Sequence, residues 1–237
     1  IRYMPAFSVA AFKDFVSNTQ NGGRVVLGSS LPFEISNSQV LGRDFQIEKI
    51  NLKLIGDFNL ENAAIAAAVG RILGIDEAKI KTSLENFNGI GRRFEFVGEE
   101  GGVKIFDDYA HHPTAIKATV TAAKNYFPNE KIWLVYQPHM FSRTKYLFEE
   151  FVSVFKDLNI EGTILVDIYA ARQENKENIS SRDIVEKVNK KQVSYLADFE
   201  QVCDFLVSRV GYGNIVIVMG AGDIYKLSEK LLLKLKG

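Results

Sequence analysis

An α/β fold, doubly wound and mainly parallel in its second part and preceded by an incomplete α/β unit, is what the sequence predicts from three observations. From about Val103 onward, short apolar runs alternate with segments of helical periodicity, the pattern of βα units repeated into a parallel sheet. All 3 histidines fall in two short segments, Asp107-Asp108-Tyr109-Ala110-His111-His112-Pro113 and Gln137-Pro138-His139-Met140-Phe141-Ser142-Arg143-Thr144, each placed directly after such a run. The turn Gly220-Ala221-Gly222 closes the last apolar run in the same manner. Chemistry-bearing residues therefore gather where parallel strands end, the edge that holds ligands in open α/β sheets.

The runs Val103 to Phe106, Lys131 to Tyr136, Thr163 to Ile168, Val193 to Leu196 and Asn214 to Met219 are the expected strands. Helical patterns come after them near Pro113 to Tyr126, Thr144 to Leu158, Ser181 to Asn189, Phe199 to Val210 and Gly222 to Lys236. Pro113 suits a first helical turn, and Ser180 or Ser181 offers a cap with Asp183 close behind. Upstream, a helix is expected over Pro5 to Asn18, a strand over Arg24 to Gly28, and extended segments over Val40 to Phe45 and Ile47 to Ile55. Two further helices are expected, Asn59 to Leu73, rich in alanine, and Asp76 to Phe87, with Ile80, Leu84 and Phe87 at helical spacing. Gly89, Gly91 and Gly98 punctuate the next stretch of chain and place a boundary near residue 96. Only one or two buried parallel strands are expected before it, few for a self-contained α/β domain.

At 237 residues the chain has enough sequence to bury a core without disulfides or structural metal. Lys plus Arg equals Asp plus Glu at 29 each, so the basic excess of a non-specific nucleic-acid or membrane-surface binder is absent. The single cysteine, Cys203, fits the apolar face of a helix, a packing position. No apolar stretch approaches the roughly 20 residues of a membrane span, and no signal peptide is recognisable. A cytoplasmic protein is expected.

Physical chemistry alone makes the first histidine segment a candidate site. Asp107 and Asp108 supply acceptors for ribose hydroxyls or cations, Tyr109 a flat face, and His111 and His112 two imidazoles that titrate near neutrality. His112-Pro113 leads into a helix whose amino end favours anions. The second segment adds His139, the hydroxyls of Ser142 and Thr144, and Arg143, whose fork suits carboxylate or phosphate. Asp167 and Tyr169 stand as secondary candidates at the end of the third strand. The competing reading is that some of these histidines cap helices and the rest are solvated. A zinc site on His111, His112, His139 and Asp108 is a second rival, but adjacent histidines rarely both reach one metal and no His-Glu-x-x-His or paired Cys pattern is present. No metal ligand is assigned.

Asn59 and Asn62 stand three residues apart at a helix start, and such carboxamides match the N6 and N7 edge of adenine; an N-cap role for Asn59 or Asp57 is the alternative. Arg92 and Arg93 precede Phe94 at the interdomain segment, where a guanidinium reaches nucleotide phosphates or is merely solvated linker charge. Gly220-Ala221-Gly222 lacks the third glycine of a dinucleotide loop and fits a tight strand-to-helix turn.

Taken together, Gly56 to Asn62, Gly91-Arg92-Arg93-Phe94-Glu95, the two histidine segments, Val166 to Ala171 and Met219 to Ile224 resemble the Mur ligases, in order and over nearly the whole chain. The resemblance implies a Rossmann-like carboxyl-terminal domain over 97–237 and a partial central ATP-binding domain over 1–96. It implies a cytoplasmic, ATP- and Mg²⁺-dependent step of peptidoglycan and cell-wall assembly, and so a part in cell shape and division. In that step L-alanine is joined through an acyl phosphate to the lactyl carboxylate of UDP-N-acetylmuramate. Asn59 and Asn62 would then contact adenine, Arg93 the ATP phosphates and Asp108 the ribose. Tyr109, His111, His139 and Arg143 would line the side where the acyl phosphate meets the amino acid, with His111, His139 and Arg143 closest to the chemistry.

The departures from the family pattern are also specific. No Gly-x-x-x-x-Gly-Lys-Ser/Thr loop occurs, nor the upstream carboxylate and histidine expected to hold Mg²⁺. Phe58 stands where a histidine is usual, and Arg172-Gln173 replaces the usual glycine or charged residues. The expectation is a fragment, inactive alone, of an active ligase, a reading that Ile1 at the start favours; the alternative is a natural truncation kept as a nucleotide-binding or interaction module. An exposed edge of a central sheet short of strands predicts pairing with a second copy or with the missing domains.

Overall fold

A computed structural model describes residues 6–19, 23–26, 40, 41 and 50–237. The chain divides into two compact units, Ile1–Asn88 and Gly89–Gly237. The division falls at Gly89 rather than near residue 96 because residues 92–94 are hydrogen-bonded into the second unit: Phe94 N–H donates to Asp108 and Arg92 pairs with Asp107.

In the first unit, helix α1 spans Ala6–Ser17, and the two-residue strands β1 (Val25–Val26) and β2 (Val40–Leu41) pair in parallel. Residues 27, 28, 42–45 and 47–49, expected to be extended, lie outside the described residues, and residues 50–55 form no strand. Helix α2 runs Asp57–Ile72 and α3 Glu77–Asn86. Gly74, at φ +73, ends α2: its N–H donates to Arg71 O and that of Ile75 to Gly70 O, each at 3.0 Å. This is the paired Schellman closure that a left-handed glycine permits. Asp76 then caps α3 by accepting from Ala78 N–H at 2.9 Å. The helices touch at Gly70, where a Cβ would stand 2.9 Å from Ile80 Cδ1.

The second unit is a six-stranded sheet in the order β3-β4-β8-β5-β6-β7, with β3 antiparallel to β4 and every other pair parallel. Its elements are β3 Glu95–Glu100, β4 Val103–Asp108, α4 Pro113–Tyr126, β5 Lys131–Tyr136, α5 Phe141–Tyr146, α6 Phe148–Asp157, β6 Gly162–Leu165, α7 Ser181–Val188, β7 Val193–Tyr195, α8 Phe199–Val207, β8 Asn214–Met219 and α9 Tyr225–Leu235. Strand β8 is central and wholly buried, with side chains alternating between two cores. Ile215, Ile217 and Met219 join Ile116, Val120, Phe151, Phe155 and Ile184 on one face. Val216 and Val218 join Val202, Cys203, Leu206, Leu227 and Leu231 on the other. Helices α4, α6 and α7 thus cover one face and α8 and α9 the other, the doubly wound arrangement expected. Burial pushes the Cys203 thiol up to about 11, in keeping with a packing role.

Several expected boundaries move. Strand β4 extends through Asp107 and Asp108, because their backbones pair with Val218 and Met219 of β8. The helix expected from Thr144 starts at Phe141 and breaks at Leu147, a buried residue at φ −100 and ψ 23 that separates α5 from α6. The last helix begins at Tyr225, not Gly222. Ser180 forms a full capping box with Asp183, as its position suggested. Strand β3 is the element the expected pattern lacked. It turns into β4 through Gly101-Gly102, both at positive φ (58 and 76), the two-residue hairpin turn that glycine favours.

Gly162 packs flat on the only tryptophan, with a Cβ there standing 2.3 Å from the Trp133 ring. Gly162→Ala is predicted to destabilise the unit by about 1–3 kcal/mol through overpacking. Urea unfolding followed by Trp133 emission measures this, and an unchanged midpoint would contradict the packing.

Candidate functional site

The carboxyl ends of β4, β8 and β5 bear three loops that leave in different directions. Those after β4 and β5 lead to the face of α4 and α6, while the one after β8 leads to α9 on the opposite face. The crevice where loops part in this way is the usual ligand position of a doubly wound sheet. Both histidine segments open on it.

Arg92 organises its floor. Its Nε donates to Asp107 Oδ2 at 2.9 Å, and its terminal nitrogens donate to Gly220 O at 2.6 Å and Gly222 O at 3.3 Å. The guanidinium also lies 5.1 Å from the Tyr109 ring centre and 4.9 Å from that of Tyr225. The reading of Arg92 as solvated linker charge is therefore corrected: it is an internal clamp. Arg93, the next residue, is exposed and lies 5.6 Å from the Tyr109 ring centre.

Asp108 is 4% exposed, and both its oxygens are engaged: Oδ1 accepts from Ala110 N–H at 2.7 Å and Oδ2 from Phe94 N–H at 2.9 Å. Burial raises its carboxyl above the usual range, opposed by those two N–H groups. Its visible work is to bend the chain after β4. Beyond that bend, Tyr109 N–H donates to Arg92 O at 2.7 Å, and the buried Tyr136 hydroxyl of β5 donates to His111 O at 3.2 Å. The two histidine segments are thus tied together across the crevice.

The structure brings Tyr109, His111, His139 and Arg143 into one cluster. Tyr109 meets His111 edge-on at 5.4 Å, His111 and His139 have ring centres 6.1 Å apart, and His139 stacks on Tyr169 at 5.5 Å. Arg143 Nη1 lies 3.4 Å from His139 Nδ1. Tyr169 is held by backbone pairing, its N–H donating to Pro138 O and its carbonyl accepting from Met140 N–H, each at 2.8 Å. Met140 stands at φ 72 and Ala171 and Arg172 at 48 and 70, left-handed conformations that cost non-glycine residues energy and cluster at functional sites. Gln173 fastens this loop by donating to Ser142 Oγ at 2.9 Å. Gly222 admits the cluster's far wall: a Cβ there would stand 2.3 Å from Gln137 Oε1 and 2.6 Å from the Tyr169 ring.

His112 turns away. Its Nδ1 accepts from Thr114 N–H at 3.3 Å and contacts Thr114 Oγ1 at 2.7 Å, so it caps α4, the role foreseen for some of these histidines. Among the described residues no group of three His, Cys, Asp or Glu side chains is placed to hold a metal ion. Burial lowers the pKa of His111 and His139, and the Arg143 charge adds to the effect on both. Burial and the nearby fixed cation thus both favour the neutral imidazole.

Asn59 and Asn62 lie in the first unit. Asn59 Nδ2 donates to Ile55 O at 2.8 Å and Asn62 Nδ2 to Asn59 Oδ1 at 3.5 Å. Gly56 is the N-cap of α2, without a side-chain cap, so neither Asn59 nor Asp57 fills that role. Tyr136, whose hydroxyl joins the loops, was not expected to matter, since it looks like strand interior in the sequence.

The fold and crevice define a doubly wound α/β protein with a cationic, aromatic-lined strand edge. The profile described as Mur ligase, glutamate ligase domain, matches residues 92–222, and the chain belongs to the Mur ligase family. It is 43% identical over 197 residues to UDP-N-acetylmuramate--L-alanine ligase of Acetivibrio thermocellus, covering 81% of this chain and 41% of that protein. The ligase of the same description from Agathobacter rectalis is 42% identical over 187 residues, 78% of this chain and 40% of the relative. The crystal structure of UDP-N-acetylmuramate-alanine ligase MurC from Thermotoga maritima aligns with TM-score 0.64 at 25% identity, over 78% of this chain and 39% of that one. The chain spans about two fifths of the length of the curated relatives it matches.

Arg92→Ala removes the side-chain donor to Asp107 and to two carbonyls and is predicted to cost about 1–3 kcal/mol, the range for leaving partly buried polar groups without a partner. Chemical denaturation measures this, and a loss below about 1 kcal/mol would mark Arg92 as ordinary surface charge.

A histidine whose pKa falls on folding contributes stability that is complete above its unfolded value of 6.5 and is lost as pH drops through that value toward the lower folded one. His111→Gln is therefore predicted to reduce the loss of melting temperature between about pH 7.5 and 5.5. A slope as steep as in the parent chain would contradict the burial of His111.

Proposed function

We propose that this chain is the adenine-, ribose- and amino-acid-facing part of an ATP-dependent UDP-N-acetylmuramate:L-alanine ligase that acts in the cytoplasm in peptidoglycan biosynthesis. The observation that carries the reading is the cluster of Tyr109, His111, His139 and Arg143 on two strand ends, inside the segment that matches the family. In the reaction, the γ-phosphoryl group of ATP moves to the lactyl carboxylate, giving an acyl phosphate and ADP. The amine of L-alanine then attacks the carbonyl carbon, and the C–N bond forms as the C–O bond to phosphate breaks. A site for such chemistry works by positioning and charge neutralisation.

Each residue has a task suited to its setting. Asn59 and Asn62 retain an N–H on each side chain and the Asn62 carbonyl for the adenine edge. Arg93, exposed next to a clamped Arg92, is free to reach phosphate, and Arg143 neutralises the acyl phosphate. His111 and His139, neutral, tolerate the cations around them. Asp108 suits the ribose less well than its sequence position suggests, since it is 4% exposed with both oxygens bonded to backbone N–H groups. Tyr109, 36% exposed, is the better ribose or base platform. Among the described residues no three His, Cys, Asp or Glu side chains converge on one point, and no step is routed through Mg²⁺. The given sequence holds no phosphate loop, so the phosphate contacts proposed for this chain are those of Arg93 and Arg143.

Calorimetric titration with ADP tests the nucleotide assignment. Binding is expected, and Asn59→Ala with Asn62→Ala is expected to weaken it at least about tenfold, or roughly 1.4 kcal/mol. Equal affinity in parent and double variant would remove the adenine role.

A further inference from the structure

The two clustered histidines differ in what their neighbours demand. A neutral imidazole carries one proton, and the partner of one ring nitrogen fixes the state of the other. His111 Nδ1 lies 3.0 Å from Tyr109 O, a carbonyl that only accepts, so Nδ1 carries the proton and Nε2 the lone pair. His139 Nδ1 faces Arg143 Nη1, a guanidinium that only donates, so Nδ1 carries the lone pair and Nε2 the proton. Among the described residues no hydrogen bond takes up Nε2 of either ring.

We infer that His111 and His139 form a matched pair, His111 Nε2 accepting a proton from the ammonium of an incoming amino acid and His139 Nε2–H donating a hydrogen bond to the carbonyl oxygen of the acyl group whose carbon is attacked. The inference rests on the ligase reading for its substrate class. In the proton step one N–H bond of the ammonium breaks, the proton bonds to His111 Nε2, and the amine keeps the electron pair; His111 becomes imidazolium. His139 transfers nothing. Among the described residues, Arg93, Arg143, Tyr109, His112, Tyr136 and His139 are charged or titratable groups around His111, and Arg143, His111 and Tyr169 around His139. Burial, and after it the charges of Arg143 and Arg93, favour the unprotonated acceptor.

Long-range ¹H–¹⁵N correlation spectra of the whole chain at neutral pH read the tautomer of each of the 3 histidines directly. His112, whose Nδ1 accepts from Thr114 N–H, serves as an internal reference for the Nε2–H form. The expected spectrum has His111 alone in the Nδ1–H form, with His139 sharing the form of His112, and the His111→Gln and His139→Gln chains assign the signals. His111 found as Nε2–H or as imidazolium, or His139 found as Nδ1–H, would overturn the pair. The tautomers do not depend on nucleotide. Loss of ADP binding with the tautomers as stated therefore strikes the ligase reading, whereas wrong tautomers with ADP bound strike the pair alone.

Discussion

Arg92 is the contact on which the rest of the crevice depends. One guanidinium joins the segment before β3, the end of β4 and the turn after β8, and it does so while Asp107 is nearly buried and the Gly220 and Gly222 carbonyls point inward. A planar group with five donors fits this junction, and an ammonium does not. Because Arg92 O also accepts from Tyr109 N–H, the same residue sets where the first histidine loop leaves the sheet. Arg93 then points outward by default, as the neighbour of a side chain that points inward.

The second layer of the design is the coupling of two strand ends. Tyr136 donates from the core to His111 O, and Met140 and Tyr169 exchange backbone contacts with the loop beside them. The strained backbone at Met140, Ala171 and Arg172 is held by these bonds and by Gln173 on Ser142. The product is a set of aromatic and imidazole rings in contact from Tyr109 through His111 and His139 to Tyr169. Partial burial favours the neutral form of both imidazoles, so the guanidinium groups of Arg93 and Arg143 are the main source of positive charge at the edge.

Much of this was legible in the sequence because the signals were local. Strands β5 and β8 and helix α4 match their expected spans, since each is a continuous apolar run or a capped amphipathic stretch between turn residues. Strand β3 was hidden because Glu95, Glu99 and Glu100 give it the composition of a linker, and Gly101-Gly102 was the signal that would have revealed it. The roles of Arg92 and Asp108 were not legible for another reason. Their partners are non-local: Gly220 and Gly222 sit more than a hundred positions from Arg92, and burial of Asp108 comes from sheet order rather than from its neighbours in sequence. The strand-end position of the histidines follows from the sequence, but which of them turns to cap α4 depends on the rotamer of His112 beside Thr114.

The central claim is the proposal that the Arg93 and Tyr109 end of this strand edge is where an adenine nucleotide rests. Backbone amide spectra recorded during addition of ADP test it most directly. The account predicts that the resonances that move in the second unit include those of Arg93 and Tyr109. Movement confined to other parts of the chain, or none at saturating nucleotide, would contradict it.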